Sequence, residues 1–210
     1  MRLSLKAFTL FAVTATALQA GNFSFTGTFS TDDQVQLFNF SVASTTTVTL
    51  LSEGFGGGIY TGGKNVSGTV INPGGLDSAF IWFDGTGTIL DSVDDDTTNT
   101  VNKYNGSYSD AYYQGSFAAG NYTLALVLHQ NANIDTLLAD GFAQTGNPSF
   151  SCGGSGNFCD GGGGNTTGAW AVDIIQVDTA SEVTATPEPA TFALIGLPLA
   201  LVIASRRRNS

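Results

Sequence analysis

Aspartates gather on the predicted turns of one stretch of the chain, from residue 77 to residue 110. They are Asp77, Asp84, Asp91, Asp94, Asp95, Asp96 and Asp110. Calcium in proteins binds roughly six to eight oxygen atoms, which carboxylates on turns and nearby loop carbonyls supply. Three consecutive aspartates would also repel one another without a cation between them. The pattern therefore predicts a calcium site with the ligands Asp77, Asp94, Asp96 and Asp110; the alternative is a solvated acidic loop that binds no ion.

The residues that enzymes use for catalysis are few. The one histidine is His129, and strand alternation places it opposite the face of Leu124 and Leu126, which predicts an exposed side chain. A Ser-His-Asp triad needs a histidine beside an activated serine, and the sequence has no Gly-x-Ser-x-Gly turn. One histidine and two cysteines cannot form a structural zinc site alone. The sequence therefore predicts a protein that is not an enzyme, with no catalytic residue and no cofactor other than calcium.

The elements that must position these residues are predicted to be β-strands. Apolar residues alternate with polar ones or form short runs between glycine-rich turns, and the sequence between the two ends shows no helical periodicity. We expect strands over residues 23–29, 35–42, 46–51, 79–83, 88–93, 111–117, 122–129 and 170–177. Such a succession predicts an all-β fold, an antiparallel β-sandwich that is most simply a jelly roll.

Three of the predicted strands allow a more specific expectation. The run 79–83 is apolar throughout, which predicts a strand buried on both faces. The apolar face changes between Leu37 and Phe38, which predicts a bulge or a change of sheet. The segments 111–117 and 122–129 are predicted to form a hairpin, because turn residues separate them.

The segment from residue 21 to residue 186 is strongly acidic. It holds two basic residues, Lys64 and Lys103, and sixteen acidic ones, so its net charge is about −14. Nucleic acids and anionic phospholipids are polyanions that attract lysine and arginine, so we expect neither as a partner. The length of this segment suits a single domain with one core.

The N-terminal end has the pattern of a secretory signal peptide. Arg2 and Lys6 precede an apolar stretch from residue 7 to residue 18, and small residues follow. We expect cleavage after Ala20, which would make Gly21 the first residue of the exported chain; residues 15–17 offer an alternative site inside the apolar stretch.

The two cysteines, Cys152 and Cys159, enclose a short glycine-rich segment. An even number of cysteines in an exported chain predicts a disulfide, because oxidising compartments preserve such bonds. We expect this bond to order the long irregular segment 140–168, whose length is typical of a functional loop or a lid over one sheet.

The C-terminal end combines three features in a fixed order. They are the motif Pro187-Glu188-Pro189, an apolar run over 190–204, and the basic cluster Arg206, Arg207 and Arg208. As a helix the apolar run would be about 22 Å long, shorter than the ~30 Å hydrocarbon core of a bilayer. Arginines tend to stay on the cytoplasmic side of a membrane. The end therefore predicts transient anchoring in the inner membrane through 190–204; the alternative is an ordinary single-pass anchor.

This end of the chain resembles the PEP-CTERM sorting signal, which consists of a Pro-Glu-Pro motif, a hydrophobic helix and a basic terminus. The resemblance implies recognition by an exosortase, a membrane-embedded cysteine protease that cuts near the motif and releases or transfers the upstream domain to the cell surface. The chain then divides into a signal peptide (1–20), a β-sandwich domain (21–178), a linker (179–186) and the sorting signal (187–210).

Residues 21–178 are also similar to a group of extracellular β-sandwich domains that commonly precede PEP-CTERM tails. The matching segments are residues 76–77, 83–88, 93–96, 110–112, 119–124 and 168–173. A more remote resemblance is to the bacterial pre-peptidase C-terminal domain, a binding or chaperoning appendage of secreted enzymes. Neither resemblance implies a catalytic residue.

Two functions are consistent with these patterns. The first is a non-catalytic surface or extracellular-matrix protein, associated with biofilm or exopolysaccharide, whose location depends on the sorting tail. The second is a carbohydrate-binding module of the cell surface, because jelly rolls often bind sugars through exposed aromatic side chains. Its expected platform consists of Tyr104, Tyr108, Tyr112 and Tyr113. Tyrosines in strands also serve simply to cover the face of a sheet.

Overall fold

The residues described by the computed structural model, 20–95, 110–154 and 158–184, form eleven β-strands and one short 3₁₀ helix at Leu138–Asp140. The strands are β1 (Gly21–Thr28), β2 (Val35–Val42), β3 (Thr46–Ser52), β4 (Ser78–Asp84), β5 (Ile89–Val93), β6 (Tyr112–Phe117), β7 (Gly120–Leu128), β8 (Phe158–Cys159), β9 (Asn165–Thr166), β10 (Ala169–Val177) and β11 (Thr179–Glu182). Within this described part, no helix is long and apolar enough to cross a membrane. The predicted sorting signal lies outside it, as does the predicted signal peptide up to residue 19.

Two antiparallel sheets carry most of these strands. The first has four strands in the order β1-β10-β3-β6, and the second has five in the order β11-β2-β7-β4-β5. The short strands β8 and β9 form a ribbon of their own. All these strand pairs are antiparallel, so the predicted all-β, antiparallel architecture is confirmed.

The main core lies between the two sheets, where alternate residues of each strand point inward. Aromatic rings join the sheets across this core. The ring centroids of Phe38 in β2 and Trp170 in β10 are 5.8 Å apart, and those of Phe40 in β2 and Phe117 in β6 are 5.6 Å apart. Both pairs meet edge to face, a favourable arrangement for aromatic rings. Burial of these rings contributes much of the free energy that holds the two sheets together.

A second core covers the outer face of the five-stranded sheet. Ile81 and Phe83 of β4 and Val127 of β7 pack there against Phe142, which the chain brings over the sheet after the 3₁₀ helix. The prediction that the strand at 79–83 is buried on both faces is therefore confirmed. Each face of this sheet excludes water for a different reason: the opposite sheet covers one, and an irregular segment covers the other.

The second core also explains the change of apolar face in β2. The register between β2 and β7 runs without interruption from Val35↔Val127 to Val42↔Gly120, so the predicted bulge or change of sheet was wrong. Phe38 packs in the main core, whereas Leu37 packs against the outer one. Adjacent apolar residues in a regular strand simply mean that both faces are covered.

The predicted hairpin between 111–117 and 122–129 was also wrong. Both segments are strands, but β6 pairs with β3 in the first sheet, and β7 pairs with β2 and β4 in the second. The short connection after Phe117 therefore carries the chain from one sheet to the other. Turn residues between two strands predict a reversal of the chain, but they do not determine which strands pair.

The polar segment 179–186, expected to be a linker, begins with a strand. Strand β11 pairs with β2 from Thr179↔Ser41 to Glu182↔Phe38. The N–H of Val183 then donates a hydrogen bond to the carbonyl oxygen of Leu37, at 2.8 Å. The domain therefore extends at least to residue 183, and backbone pairing, not side-chain burial, is what extends it.

A close approach in the main core involves Gly27 of β1 and the indole of Trp170. The two residues are register partners, and a β-carbon at Gly27 would lie 2.2 Å from Cζ2 of Trp170. Contacts this short do not occur between non-bonded carbons, so only glycine leaves room for the indole in this position.

A glycine-rich loop, residues 54–76, lies against the outer face of the four-stranded sheet. Two buried carboxylates beneath it bind its backbone. Oε1 of Glu53 accepts a hydrogen bond from the N–H of Ile59 at 3.1 Å, and Oδ2 of Asp173 accepts one from the N–H of Val66 at 2.8 Å. Both acidic side chains are fully buried, and Oε2 of Glu53 has no hydrogen-bond partner among the described residues.

Candidate functional site

Three carboxylates meet where β4 begins and β5 ends. Asp77 directly precedes β4, and Asp94 and Asp95 directly follow β5. Because these two strands are antiparallel, with Phe80 paired to Val93, the start of one lies beside the end of the other. One carboxylate oxygen from each of the three aspartates lies within 4.8 Å of the other two. We refer to Asp77, Asp94 and Asp95 as the acidic cluster.

Asp77 is the buried member of the acidic cluster, with 2% of its surface exposed. Its Oδ2 accepts a hydrogen bond from the N–H of Gly161 at 2.7 Å, whereas its Oδ1 has no hydrogen-bond partner among the described residues. Burial raises the pKa of Asp77 above its usual range, although the Gly161 N–H and the nearby His129 act in the opposite direction. Asp94 and Asp95 are exposed, so the cluster has one buried side and one open side.

His129 lies beside Asp77 and is buried, so the prediction of an exposed histidine was wrong. Strands β4 and β7 pair at Ser78↔Leu128, which places His129, the residue directly after β7, against Asp77. Nδ1 of His129 is 3.7 Å from Oδ2 of Asp77, and within the part of the chain that the structure describes neither ring nitrogen has a hydrogen-bond partner. The loop that carries Gly161 closes over the imidazole, and this cover is not visible in the strand pattern.

The structure brings together two of the four predicted calcium ligands, Asp77 and Asp94. Asp95 joins them, although the prediction placed Asp96 in this position; Asp96 lies outside the described residues. Within a strand, side chains alternate between the two faces, so the sequence indicates which aspartate points toward a neighbour. The aspartates 94–96 lie just after the end of β5, where this rule no longer applies. The sequence therefore could not choose between Asp95 and Asp96.

Asp110, the fourth predicted ligand, lies outside the acidic cluster. Its oxygens accept hydrogen bonds from Oγ of Ser52 at 3.1 Å, from the N–H of Phe55 at 3.0 Å and from the N–H of Gly56 at 2.6 Å. The side chain is fully buried, and burial raises its pKa to about 7 despite these three donors. Asp110 thus holds the start of the glycine-rich loop 54–76 against the sandwich, and the structure does not bring it together with the other predicted ligands.

A disulfide between Cys152 and Cys159 closes a small loop beside the acidic cluster, which confirms the predicted pairing. Two residues after this bond, Gly161 donates its N–H to Asp77. On the other side, Ser151 donates both its N–H and its hydroxyl to Oδ2 of Asp32, each at 2.8 Å. The irregular segment is therefore hydrogen-bonded to the sandwich on both sides of the disulfide, to Asp32 before it and to Asp77 after it. Asp77 is also a candidate ligand for a cation.

The acidic cluster also borders a cavity of about 370 Å³ on the outer face of the five-stranded sheet. Asp94 forms part of its wall. Ile81 and Ile89 contribute apolar surface, and Asn133 and Asp135 contribute polar groups. A cavity with apolar and polar walls of this size is typical of a small-molecule site.

The structure divides the predicted tyrosine platform. Tyr113 points into the main core, where its ring centroid is 4.3 Å from that of Trp82. Tyr112 is the preceding residue of β6, so its side chain lies on the opposite face of the sheet. Tyr104 and Tyr108 lie outside the described residues. Tyr112 and Tyr113 therefore cannot belong to one flat binding surface.

Chemically, the acidic cluster offers oxygen ligands for a hard cation, and the buried imidazole beside it adds a nitrogen donor near Asp77. No protein-family model matches this chain, and no curated protein matches it either. Functional conclusions about the chain therefore depend on its own residues and their geometry.

Proposed function

We propose that this chain is a non-catalytic, exported surface or extracellular-matrix protein whose β-sandwich reaches the cell surface after an exosortase processes its C-terminal end. The observation that carries the proposal is the order of Pro187-Glu188-Pro189, the apolar run 190–204 and the three arginines after it. The disulfide between Cys152 and Cys159 supports it, because such bonds persist in oxidising compartments. An acidic, soluble domain between a signal peptide and a sorting tail fits an extracellular location, with exopolysaccharide as the expected surroundings.

We also propose that the sandwich is a jelly roll. Apart from the β8-β9 ribbon, consecutive strands alternate between the two sheets except at β4 and β5, which are neighbours in one sheet. Eight strands, in the orders β1-β10-β3-β6 and β2-β7-β4-β5, then correspond to the two Greek keys of a jelly roll, with β11 added at one edge. A closed sandwich of this kind is a stable module that needs no catalytic site to serve at a surface.

Replacement of Pro187, Glu188 and Pro189 by alanine should trap the precursor in the inner membrane. The physical reason is that the protease would no longer find its motif, while the apolar run and the arginines still arrest the chain. Fractionation and immunoblotting of the producing cells would measure this, and N-terminal sequencing of the wild-type surface protein should begin at Gly21. The matched control replaces Thr184 and Thr186 by alanine and should be processed normally. Arrival of the motif variant at the surface with its normal size would refute the sorting function.

The alternative function, a carbohydrate-binding module, has one observation in its favour. The cavity beside Asp94 combines apolar walls with amide and carboxylate groups, and sugars offer both kinds of surface. This cavity is a better candidate for a sugar site than the tyrosines, because Tyr113 is packed in the core.

If the cavity binds a saccharide, Asp135→Ala should reduce binding about tenfold or more, since a lost charge-assisted hydrogen bond contributes about 1.5–3 kcal/mol. Asp91→Ala is the control, because this aspartate is exposed and lies outside the cavity. Glycan-array screening followed by titration calorimetry would measure both variants. Equal affinity of the two variants, or no bound glycan at all, would leave the non-catalytic matrix protein as the better account.

A further inference from the structure

We propose that Asp77, Asp94 and Asp95 bind one calcium ion at the edge of the sandwich, and that this ion fastens the disulfide-closed loop to the end of β5. The inference goes beyond the proposed function, since neither export nor a place in a matrix requires a metal. It rests on the meeting of three carboxylates together with one buried oxygen, Oδ1 of Asp77, that has no hydrogen-bond partner among the described residues.

Oδ1 of Asp77 accepts no hydrogen bond from any described residue. This side chain is 2% exposed, and a buried carboxylate oxygen without a hydrogen-bond donor is costly. The other oxygen, Oδ2, is already occupied by the N–H of Gly161. Oδ1 is therefore the atom of Asp77 that remains for a ligand, and a cation is the ligand that an anionic oxygen favours.

The three carboxylate oxygens are close enough to bind the same ion. They lie within 4.8 Å of one another, and two ligands of one calcium ion can be as far apart as about 5 Å, twice the metal–oxygen distance. A single ion can therefore touch all three carboxylates without a rearrangement of the strands. The exposed side of the cluster, at Asp94 and Asp95, leaves room for water molecules to complete the coordination shell.

The ligands of the acidic cluster favour calcium over other cations. Three carboxylates and water form an all-oxygen site; calcium tolerates many arrangements of such ligands, whereas magnesium demands a near-ideal octahedron and usually takes only one or two carboxylates. His129 is near only one member of the cluster, with Nδ1 3.7 Å from Oδ2 of Asp77, and it is not among the three groups that lie within reach of one ion. Zinc or manganese would be expected to recruit this imidazole, so these metals are the competing outcomes of the test.

Calcium bound here would link two parts of the chain that are distant in sequence. Asp94 and Asp95 belong to the end of β5, and Asp77 is hydrogen-bonded to Gly161, two residues after Cys159. Because the site exists only when these segments are folded together, calcium should stabilise the folded state and not the unfolded chain.

The test is thermal unfolding of the full chain, purified in detergent and freed of metal by a chelator. At calcium concentrations about 100-fold above the dissociation constant, we expect the melting temperature to rise by about 5–10 °C. Parallel samples contain magnesium, manganese or zinc at the same ionic strength. Equilibrium dialysis should give one calcium ion per chain.

The decisive variant is Asp94→Asn with Asp95→Asn, which should lose the calcium shift; both side chains are exposed, so the fold should tolerate the change. The control, Asp91→Asn with Glu182→Gln, removes the same charge from exposed positions outside the cluster and should keep the shift. An equal rise with magnesium, or loss of the shift in the control, would show general charge screening and overturn the site. A larger shift with zinc or manganese that His129→Gln abolishes would overturn the assignment to calcium.

Discussion

The free energy of unfolding should fall as the pH rises from about 5 to about 8, and Glu53→Gln should remove a large part of this dependence. Burial, with the charge of Asp173 as the next cause, raises the pKa of Glu53 from 4.5 to about 8. Between these two values the unfolded chain has lost the proton of Glu53, but the folded domain still holds it. Unfolding then releases a proton, so each unit of pH lowers stability by about 1.4 kcal/mol for this group.

The sign and window of the effect follow from the raised pKa. Stability from the protonated Glu53 is fully present below pH 4.5 and is lost as the pH approaches about 8. Glutamine keeps a carbonyl oxygen for the N–H of Ile59 but never ionises, so the variant should be more stable at pH 8 by a few kcal/mol. Asp110, whose pKa burial raises to about 7, should add a slope of similar size below that pH, and Asp173, whose pKa burial also raises, should add to it, so the effect of Glu53→Gln is clearest between about pH 7 and 8.

Urea unfolding at several pH values between 5 and 8 measures this directly. Glu182→Gln is the matched control, because this glutamate is exposed on β11 and its replacement should leave the slope unchanged. Parallel pH profiles for the wild type and Glu53→Gln would show that the folded state ionises Glu53 normally, contrary to the expectation.

Gly27→Val should destabilise the domain by about 3 kcal/mol or more, the upper range for overpacking a well-packed core. The reason is the 2.2 Å that would separate a β-carbon at this position from Cζ2 of Trp170. The indole cannot move away easily, because its ring is in edge contact with that of Phe38 at 5.8 Å. The backbone of β1 would have to separate from β10 to relieve the clash.

A double-mutant cycle with Trp170→Phe distinguishes this clash from a general effect of valine in β1. Phenylalanine has a smaller ring without the indole atoms Cζ2 and Cη2, which approach Gly27. Nε1 of Trp170 makes no hydrogen bond to any described residue, so the change loses none of these. Gly27→Val should therefore cost at least about 1 kcal/mol less in the Trp170→Phe background. Thr26→Val, an exposed position of the same strand, is the control. Strict additivity of the two changes would refute the steric explanation.

The strands themselves were largely predictable, because alternation at a period of two is a direct result of strand geometry. What the sequence could not supply was the cover on each sheet. The change of apolar face between Leu37 and Phe38 suggested an irregular strand, whereas an outer core centred on Phe142 buries the second face. Strand β11 was missed for a related reason: it contributes backbone hydrogen bonds, and its polar sequence carries no apolar pattern.

The acidic cluster was predictable in part. Asp77 and Asp94 flank two strands that the sequence identifies as neighbours, so their meeting follows from antiparallel pairing. The burial of His129 did not follow, because it depends on a loop that closes from residue 161, more than thirty residues later. The position of Asp110 did not follow either, because a turn aspartate that binds calcium and one that accepts backbone N–H groups look alike in sequence.

Strand β11 has a consequence for where the chain can safely be cut. It covers the edge of β2, whose eight residues include apolar side chains on both faces. Proteolysis upstream of Thr179 would remove this cover and leave a long row of free backbone donors and acceptors, a template for addition of a strand from a second molecule. Cleavage near residue 187 leaves the cover in place. If an exosortase cuts the chain near residue 187, as proposed above, the released domain keeps this edge covered and should resist aggregation.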